Sequence, residues 1–174
     1  SPLYMKPRIF ISAVTRELAA LRDVIAKELI SLGYEPVWQD LFGTEQGDVK
    51  AMLRRKIDAC QGVIHLAGNT SGSTPAEPDP DFGEISYTQF EALYAQKKGK
   101  KLWIIVMDES YVGSVGSAPA PLDPMQSAWR QRILAGNELV VCFDLTKQVP
   151  GKYFDTFSSL LEKVKNKRVT STFG

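Results

Sequence analysis

Short apolar segments alternate with amphipathic segments along most of the 174-residue chain. Segments rich in β-branched and aromatic residues are typical of strands, which we predict at 8–13, 34–38, 62–67, 101–107 and 139–143. Apolar residues at three- and four-residue spacing predict helices at 15–32, after a capping Asp48, at 84–97, at 124–134 and through 154–164. Strand and helix therefore alternate five times.

This alternation predicts a parallel sheet covered by helices on both faces. Pro36 lacks an N–H donor and favours an edge position for the second strand, whereas the apolar segment 62–67 fits a central strand. We therefore predict an α/β fold, a flavodoxin-like three-layer sandwich with strand order 2-1-3-4-5. A single domain is expected over 1–174, with flexible ends at 1–7 and 168–174.

Charge and composition argue against several classes of protein. Lys and Arg number 21 against 20 Asp and Glu, so no net field favours nucleic acid or an anionic membrane as partner. No apolar run reaches membrane-spanning length and no leader pattern is present, so a cytoplasmic location is expected. Neither a Rossmann nor a P-loop glycine motif occurs, which disfavours hydride transfer and ATP hydrolysis.

Metal chemistry and histidine chemistry are not expected either. Cys60 and Cys142 lie in apolar settings without a metal-type cluster, so we predict two reduced, buried thiols and no metal site. His65 is the only histidine and lies within a predicted buried strand. We expect it to be structural, which argues against a histidine-based catalytic triad.

In the predicted strand order, a crevice opens outside the carboxyl ends of the first and third strands. The residues that follow the first strand could offer backbone N–H groups and a cationic side chain to a phosphate; these are Ser12, Val14, Thr15 and Arg16. An ordinary helix start with a solvated arginine explains the same residues equally well.

The third predicted helix carries Tyr87, Glu91 and Tyr94 at a spacing that places them on one face. A carboxylate among aromatic rings is partly desolvated, which raises its pKa, and it can stabilise or attack an oxocarbenium ion. Glu91 is therefore the best catalytic candidate. On spacing alone, a solvated glutamate between two tyrosines that cover the core is the better interpretation.

Three stretches of the sequence resemble the TIR family: FISAVTREL at 10–18, LGYEPVWQD at 32–40 and SYTQFEALYAQKKGKKLWIIV at 86–106. They are similar in order and spacing to the family's F-[IL]-S start of the first strand, its hydrophobic-Asp end of the second, and its S-x-x-x-x-E third helix. The resemblance covers nearly the whole chain and is closest to TIR-like domains of bacterial and some eukaryotic multi-domain immune or signalling proteins.

The TIR resemblance implies an NAD+ glycohydrolase or cyclase that cleaves the bond between nicotinamide and ribose. It assigns the catalytic carboxylate to Glu91, a flanking aromatic to Tyr87, and a closing BB loop to 40–48 with Phe42, which could equally anchor the core. Trp38 could line the pocket or plug the sheet. NAD+ would be the substrate, with no separate cofactor, and the partners would be other TIR copies and further domains of a larger parent chain.

Three other functions fit the same sequence. A nucleoside deoxyribosyltransferase-like enzyme also combines a flavodoxin-like sheet with a glutamate after the third strand, and the stretch 83–100 is partly similar to it. A non-catalytic TIR assembly module would assemble normally after Glu91→Gln. A sensor would bind a nucleotide without cleaving it, since a fold alone never fixes a function.

Overall fold

The computed structural model describes residues 5–43, 45–114, 116–147 and 153–166, which form a five-stranded parallel sheet between helices. The strands are β1 (Arg8–Ser12), β2 (Glu35–Val37), β3 (Gly62–Ala67), β4 (Lys101–Val106) and β5 (Phe143–Asp144). The helices are α1 (Thr15–Ser31), α2 (Val49–Asp58), α3 (Tyr87–Lys97), α4 (Pro124–Leu134) and α5 (Tyr153–Asn166). The strand order is β2-β1-β3-β4-β5, which confirms the predicted fold.

Side chains alternate between the two faces of the sheet and form a separate apolar core on each. Ile9 and Ile11 of β1 pack with α1 and α5, whereas Phe10 between them packs with α2, α3 and α4. This alternation directs Ser12 toward the Phe10 face. Its neighbour in the register of β1 and β3 is His65, which also lies on that face. Two polar side chains therefore lie beneath α3 and α4.

The last strand is the main difference between the sequence prediction and the structure. The predicted fifth strand is present, but its predicted bounds of 139–143 are wrong, because the strand that pairs with β4 is Phe143–Asp144. Leu139 is buried in the core beside α2, α3 and α4 without joining the sheet. Cys142 lies just before β5 and is half-buried, not buried as predicted. Cys60 is buried as predicted, and its burial raises the pKa of its thiol to about 11. The apolar character of the start of the segment 139–143 therefore reflects the packing of Leu139 rather than strand pairing.

Helix boundaries follow their capping residues. Asp48 accepts a hydrogen bond from the backbone N–H of Ala51, which confirms the predicted start of α2. α3 begins at Tyr87 rather than at 84, because Ser86 and Gln89 form a reciprocal capping box. Across the residues that the structure describes, no helix is both long and apolar enough to cross a membrane. The predicted flexibility of 1–4 and of 168–174 concerns residues outside the described ranges.

Candidate functional site

A crevice of about 670 Å³ lies beside the carboxyl ends of β1 and β3, where the predicted strand order required it. Most of its lining is apolar and comes from the start of α1, the segment after β2 and the loop before α4; it includes Val14, Leu41, Phe42, Ala118, Pro119, Ala120 and Pro121. Arg16 and Glu17 are its charged residues. This volume and lining suit a ligand of nucleoside or nucleotide size.

Five of the predicted substrate-binding residues lie at this crevice. Val14, Arg16 and Phe42 line it, and Phe42 is 71% exposed, so it is not a core anchor. Thr15 and Tyr87 line a narrow recess that adjoins the crevice through Val14. The remaining two, Ser12 and Trp38, do not line it: Ser12 is fully buried, and Trp38 packs against the α1 core as a plug of the sheet would.

Glu91 is buried near the recess that adjoins the crevice, with 2% of its surface exposed. Its Oε1 atom accepts a hydrogen bond of 2.7 Å from Ser12 Oγ, which joins α3 to the end of β1. Burial raises the pKa of Glu91 to about 8, although the Ser12 hydrogen bond and the positive charges of Arg22 and Lys56 lower it. A carboxylate with this pKa changes its charge near neutral pH.

The two tyrosines that share the Glu91 face of α3 have contacts of their own. Tyr94 donates a hydrogen bond of 2.7 Å to Asp58 on α2, and its ring stacks on that of Phe90. Tyr87 contributes to the recess that adjoins the crevice. The hydrogen bond that links the Glu91 carboxyl to the sheet comes from Ser12.

His65 is buried, as predicted, and it also contacts Ser12, the hydrogen-bond partner of Glu91. Its Nδ1 atom lies 2.9 Å from Ser12 Oγ, and its Nε2 atom lies 3.1 Å from the indole N–H of Trp129. Burial lowers the pKa of His65 to about 3, so the ring is neutral at physiological pH. The sequence reasoning missed this contact, although the β1 and β3 register, which pairs Ser12 with His65, could have indicated it.

Glu17 is the second functional candidate that the sequence reasoning missed. Its buried carboxylate accepts hydrogen bonds from the backbone N–H groups of Asn69 and Thr70 and from the Thr70 hydroxyl, all at 2.9 to 3.0 Å. Its backbone carbonyl accepts one from Ser114 N–H at 2.7 Å. Glu17 thus joins the loops after β3 and β4 to α1. Nothing in the sequence marks it, since an acidic residue in the first turn of a helix is ordinary.

The segment after β2 is held to α1 by a buried cation. Arg22 forms an ion pair of 3.0 Å with Asp40 and donates a hydrogen bond to Thr15, which in turn donates to Asp40. Its guanidinium lies 5.0 Å from the centre of the Trp38 ring. These contacts fix the base of the predicted BB loop, from which Phe42 extends into the crevice wall.

The family model of DUF4062, a domain of unknown function, matches residues 8–167. The chain belongs to the DUF4062 family. The TIR resemblance is not confirmed, because no TIR family matched, and what that resemblance implies for the DUF4062 domain remains a hypothesis. Comparison with curated proteins gave no match.

Among solved structures, one described as a 2-desoxiribosyltransferase from Leishmania mexicana is similar to the DUF4062 domain. The identity is 15% and the TM-score 0.46, and the alignment covers 93% of this chain and 99% of that chain. A similarity of this size carries no inference about function.

The DUF4062 domain thus combines a ligand-sized crevice with one buried carboxylate of raised pKa, whose partner Ser12 is also hydrogen-bonded to Thr88 of the adjoining recess. Within the described ranges, no three His, Cys, Asp or Glu side chains are grouped to hold a metal ion. The chemistry that the arrangement can support is that of a carboxylate facing a developing positive charge, or of a carboxylic acid donating a proton.

Proposed function

We propose that this DUF4062 domain cleaves an N-glycosidic bond of a ribosyl-containing nucleotide, with Glu91 as the catalytic carboxylate. The observation that carries the proposal is the burial of Glu91 against the end of β1, where Ser12 donates a hydrogen bond to it. In a site of low dielectric, a carboxylate stabilises a ribosyl cation far more strongly than it does in water. Such a group near a nucleotide-sized crevice suits this reaction.

NAD+ is the substrate that we propose first. Its nicotinamide is already cationic, so it leaves as a neutral molecule with the bonding electron pair and needs no general acid. Water then adds to C1′ of the ribose and releases a proton. The positive charge of the bound substrate would also favour ionisation of Glu91, whose pKa of about 8 otherwise leaves it mostly protonated at pH 7.

The crevice suits the remaining parts of NAD+. The apolar side chains of Val14, Leu41 and Phe42 suit a planar ring, and the exposed Arg16 suits a diphosphate. Because Glu91 is buried, the recess lined by Val14, Tyr87 and Thr88 must widen before the ribose can reach it. The proposal includes a movement of the segment around Phe42 that widens this recess. Association between copies of the domain would promote that movement, and no separate cofactor takes part.

A second candidate is transfer of a deoxyribosyl group between bases. The observation that favours it is the raised pKa of Glu91, since a carboxyl group that is protonated at neutral pH can donate a proton to a neutral leaving base. A nucleoside carries such a base, whereas NAD+ does not. The two candidates therefore require opposite protonation states of the same residue at the start of the reaction.

One experiment separates these possibilities. The protein is incubated at high concentration with a crowding agent, either with NAD+ or with deoxyinosine plus adenine, and products are resolved by chromatography. Glu91→Gln is compared with Glu84→Gln, which makes the same change at an exposed position before α3. Nicotinamide release lost only in Glu91→Gln supports the first candidate, and deoxyadenosine lost only in that variant supports the second.

The same experiment can overturn the proposal. Release that is equal in wild type and Glu91→Gln would remove the role of Glu91. Absence of both products, together with saturable binding of NAD+, would instead identify a nucleotide-binding module.

A further inference from the structure

Four buried side chains from four different elements form one line of hydrogen bonds that ends at Glu91. The indole N–H of Trp129 on α4 lies 3.1 Å from Nε2 of His65, whose Nδ1 lies 2.9 Å from Ser12 Oγ. Ser12 Oγ in turn lies 2.7 Å from Glu91 Oε1. All four residues are at most 3% exposed. Water therefore has little part in setting the direction of these bonds.

The direction of each bond follows from the first. An indole nitrogen can only donate, so Nε2 of His65 must carry a free electron pair. A neutral imidazole holds its single proton on the other nitrogen, so Nδ1 donates to Ser12 Oγ. The Ser12 proton must then point to a separate acceptor. Glu91 Oε1 at 2.7 Å is nearer than the Thr88 carbonyl oxygen at 3.2 Å.

We propose that Trp129 and His65 are positioning residues, which hold the Ser12 hydroxyl proton toward Glu91 and thereby favour its ionised form. The catalytic meaning of this relay rests on the proposed function of Glu91, whereas the relay itself is a property of the folded chain. A merely structural role for Trp129 would satisfy its buried N–H and would leave the ionisation of Glu91 unchanged.

Loss of the indole donor removes the constraint that fixes the direction of the relay. Without Trp129, His65 can carry its proton on Nε2 and accept the Ser12 proton at Nδ1, which withdraws that proton from Glu91. The carboxylate then loses a hydrogen bond that stabilises its charge, so its pKa rises. The other charges that act on Glu91 are Arg22 from α1 and Lys56 from α2, and a change at Trp129 alters neither of them.

The single histidine of the chain makes the tautomer directly measurable by ¹⁵N NMR on the full chain. At pH 7, wild type is expected to show Nδ1 protonated and Nε2 unprotonated, and Trp129→Phe is expected to shift the proton to Nε2. Trp103→Phe is the matched control, because Trp103 is also buried but packs on the opposite face of the sheet. A wild-type ring protonated on Nε2 would overturn the relay, even if Trp129→Phe failed to fold.

The ionisation of Glu91 supplies the second readout. The difference infrared spectrum between each protein and its Glu91→Gln counterpart isolates the carboxyl band, whose loss with pH gives the titration midpoint. An upward shift of that midpoint is expected in Trp129→Phe and in Ser12→Ala, and none in Trp103→Phe. An unchanged midpoint in folded Trp129→Phe would overturn the proposal.

Activity measurements keep this proposal distinguishable from the proposed function. If NAD+ is cleaved, the pH at half-maximal rate should move upward in Trp129→Phe and Ser12→Ala, in step with the infrared midpoint. If no variant and no wild type cleaves NAD+ or exchanges bases, the proposed function fails, while the tautomer and the infrared midpoint still decide whether the relay exists.

Discussion

A Cβ atom on Gly68 would lie 2.5 Å from Oε1 of Glu17, closer than unbonded atoms can approach. The Glu17 carboxylate therefore contacts the backbone at the end of β3, where it accepts hydrogen bonds from the N–H groups of Asn69 and Thr70. Gly113 has the same relation to the Glu17 carbonyl oxygen, which a Cβ atom there would overlap. The contacts of Glu17 with the loops after β3 and β4 thus require glycine at positions 68 and 113, where a side chain would overlap Glu17.

We expect Gly68→Ala to destabilise the fold by about 1–3 kcal/mol, because the new methyl group would displace the carboxylate from its N–H donors. The free energy of unfolding in urea measures this. In a Glu17→Ala background the same change should cost much less, because the methyl group then meets no carboxylate. Equal costs in both backgrounds would show that Gly68 matters for another reason.

The raised pKa of Glu91 predicts a pH dependence of stability. The carboxyl holds its proton to about pH 8 in the folded state but only to its ordinary value of 4.5 when unfolded. Its stabilising effect is therefore complete below pH 4.5 and is lost as the pH rises to 8. Relative to Glu91→Gln, the free energy of unfolding of the wild type should fall by up to about 5 kcal/mol over that range. In Glu84→Gln, where the change is at an exposed position, the free energy of unfolding in urea should depend on pH as it does in the wild type.

Phe42 should contribute to ligand binding but not to stability. Its side chain lines the crevice while 71% of the residue remains exposed, so Phe42→Ser should change the free energy of unfolding by less than about 0.5 kcal/mol. Loss of ring contact should raise KM for the nucleotide whose cleavage we propose about five-fold, as expected for about 1 kcal/mol. Val140→Ser removes an apolar residue that is 76% exposed and does not line the crevice. A similar change of KM in both variants would contradict the role of Phe42.

The ion pair of Arg22 and Asp40 should matter more than a surface pair. The Arg22 side chain is 5% exposed and that of Asp40 42%, so Asp40→Asn leaves a buried guanidinium without its carboxylate. We expect a loss of about 1–2 kcal/mol, reduced from the value for a fully buried pair by the exposure of Asp40. Glu35→Gln, which breaks the exposed pair with Arg8, should cost less than about 1 kcal/mol in the same urea titrations. Similar losses in both variants would mean that burial of Arg22 has no energetic effect.

Much of the fold followed from the sequence because local signals and tertiary packing agreed. The segment 62–67 is apolar throughout and became β3 with those bounds, and 124–134 became α4 behind its cap at Asp123. The start of the fifth strand was placed too early, at 139, because apolar residues of a packed loop and of a strand produce the same pattern. Only pairing with β4 distinguishes them, and pairing depends on residues far away in the sequence.

The candidate site divides in the same way. Glu91 could be selected from a motif and its place after the third strand. Its contact with Ser12, and the contact of Ser12 with His65, depend on strand register, which the sequence constrains only through alternation. The role of Glu17 depends on backbone N–H groups of a distant loop, and these carry no side-chain signature in the sequence.

The two borders of the sheet are both short. β2 has three residues, one of them Pro36 without an N–H group, and β5 has two. Within the described residues, each border thus offers a neighbouring molecule few backbone groups for strand addition. We therefore expect strand addition between copies of the domain to be disfavoured. Ordered association would have to use side chains on helices and loops, where single substitutions can tune it.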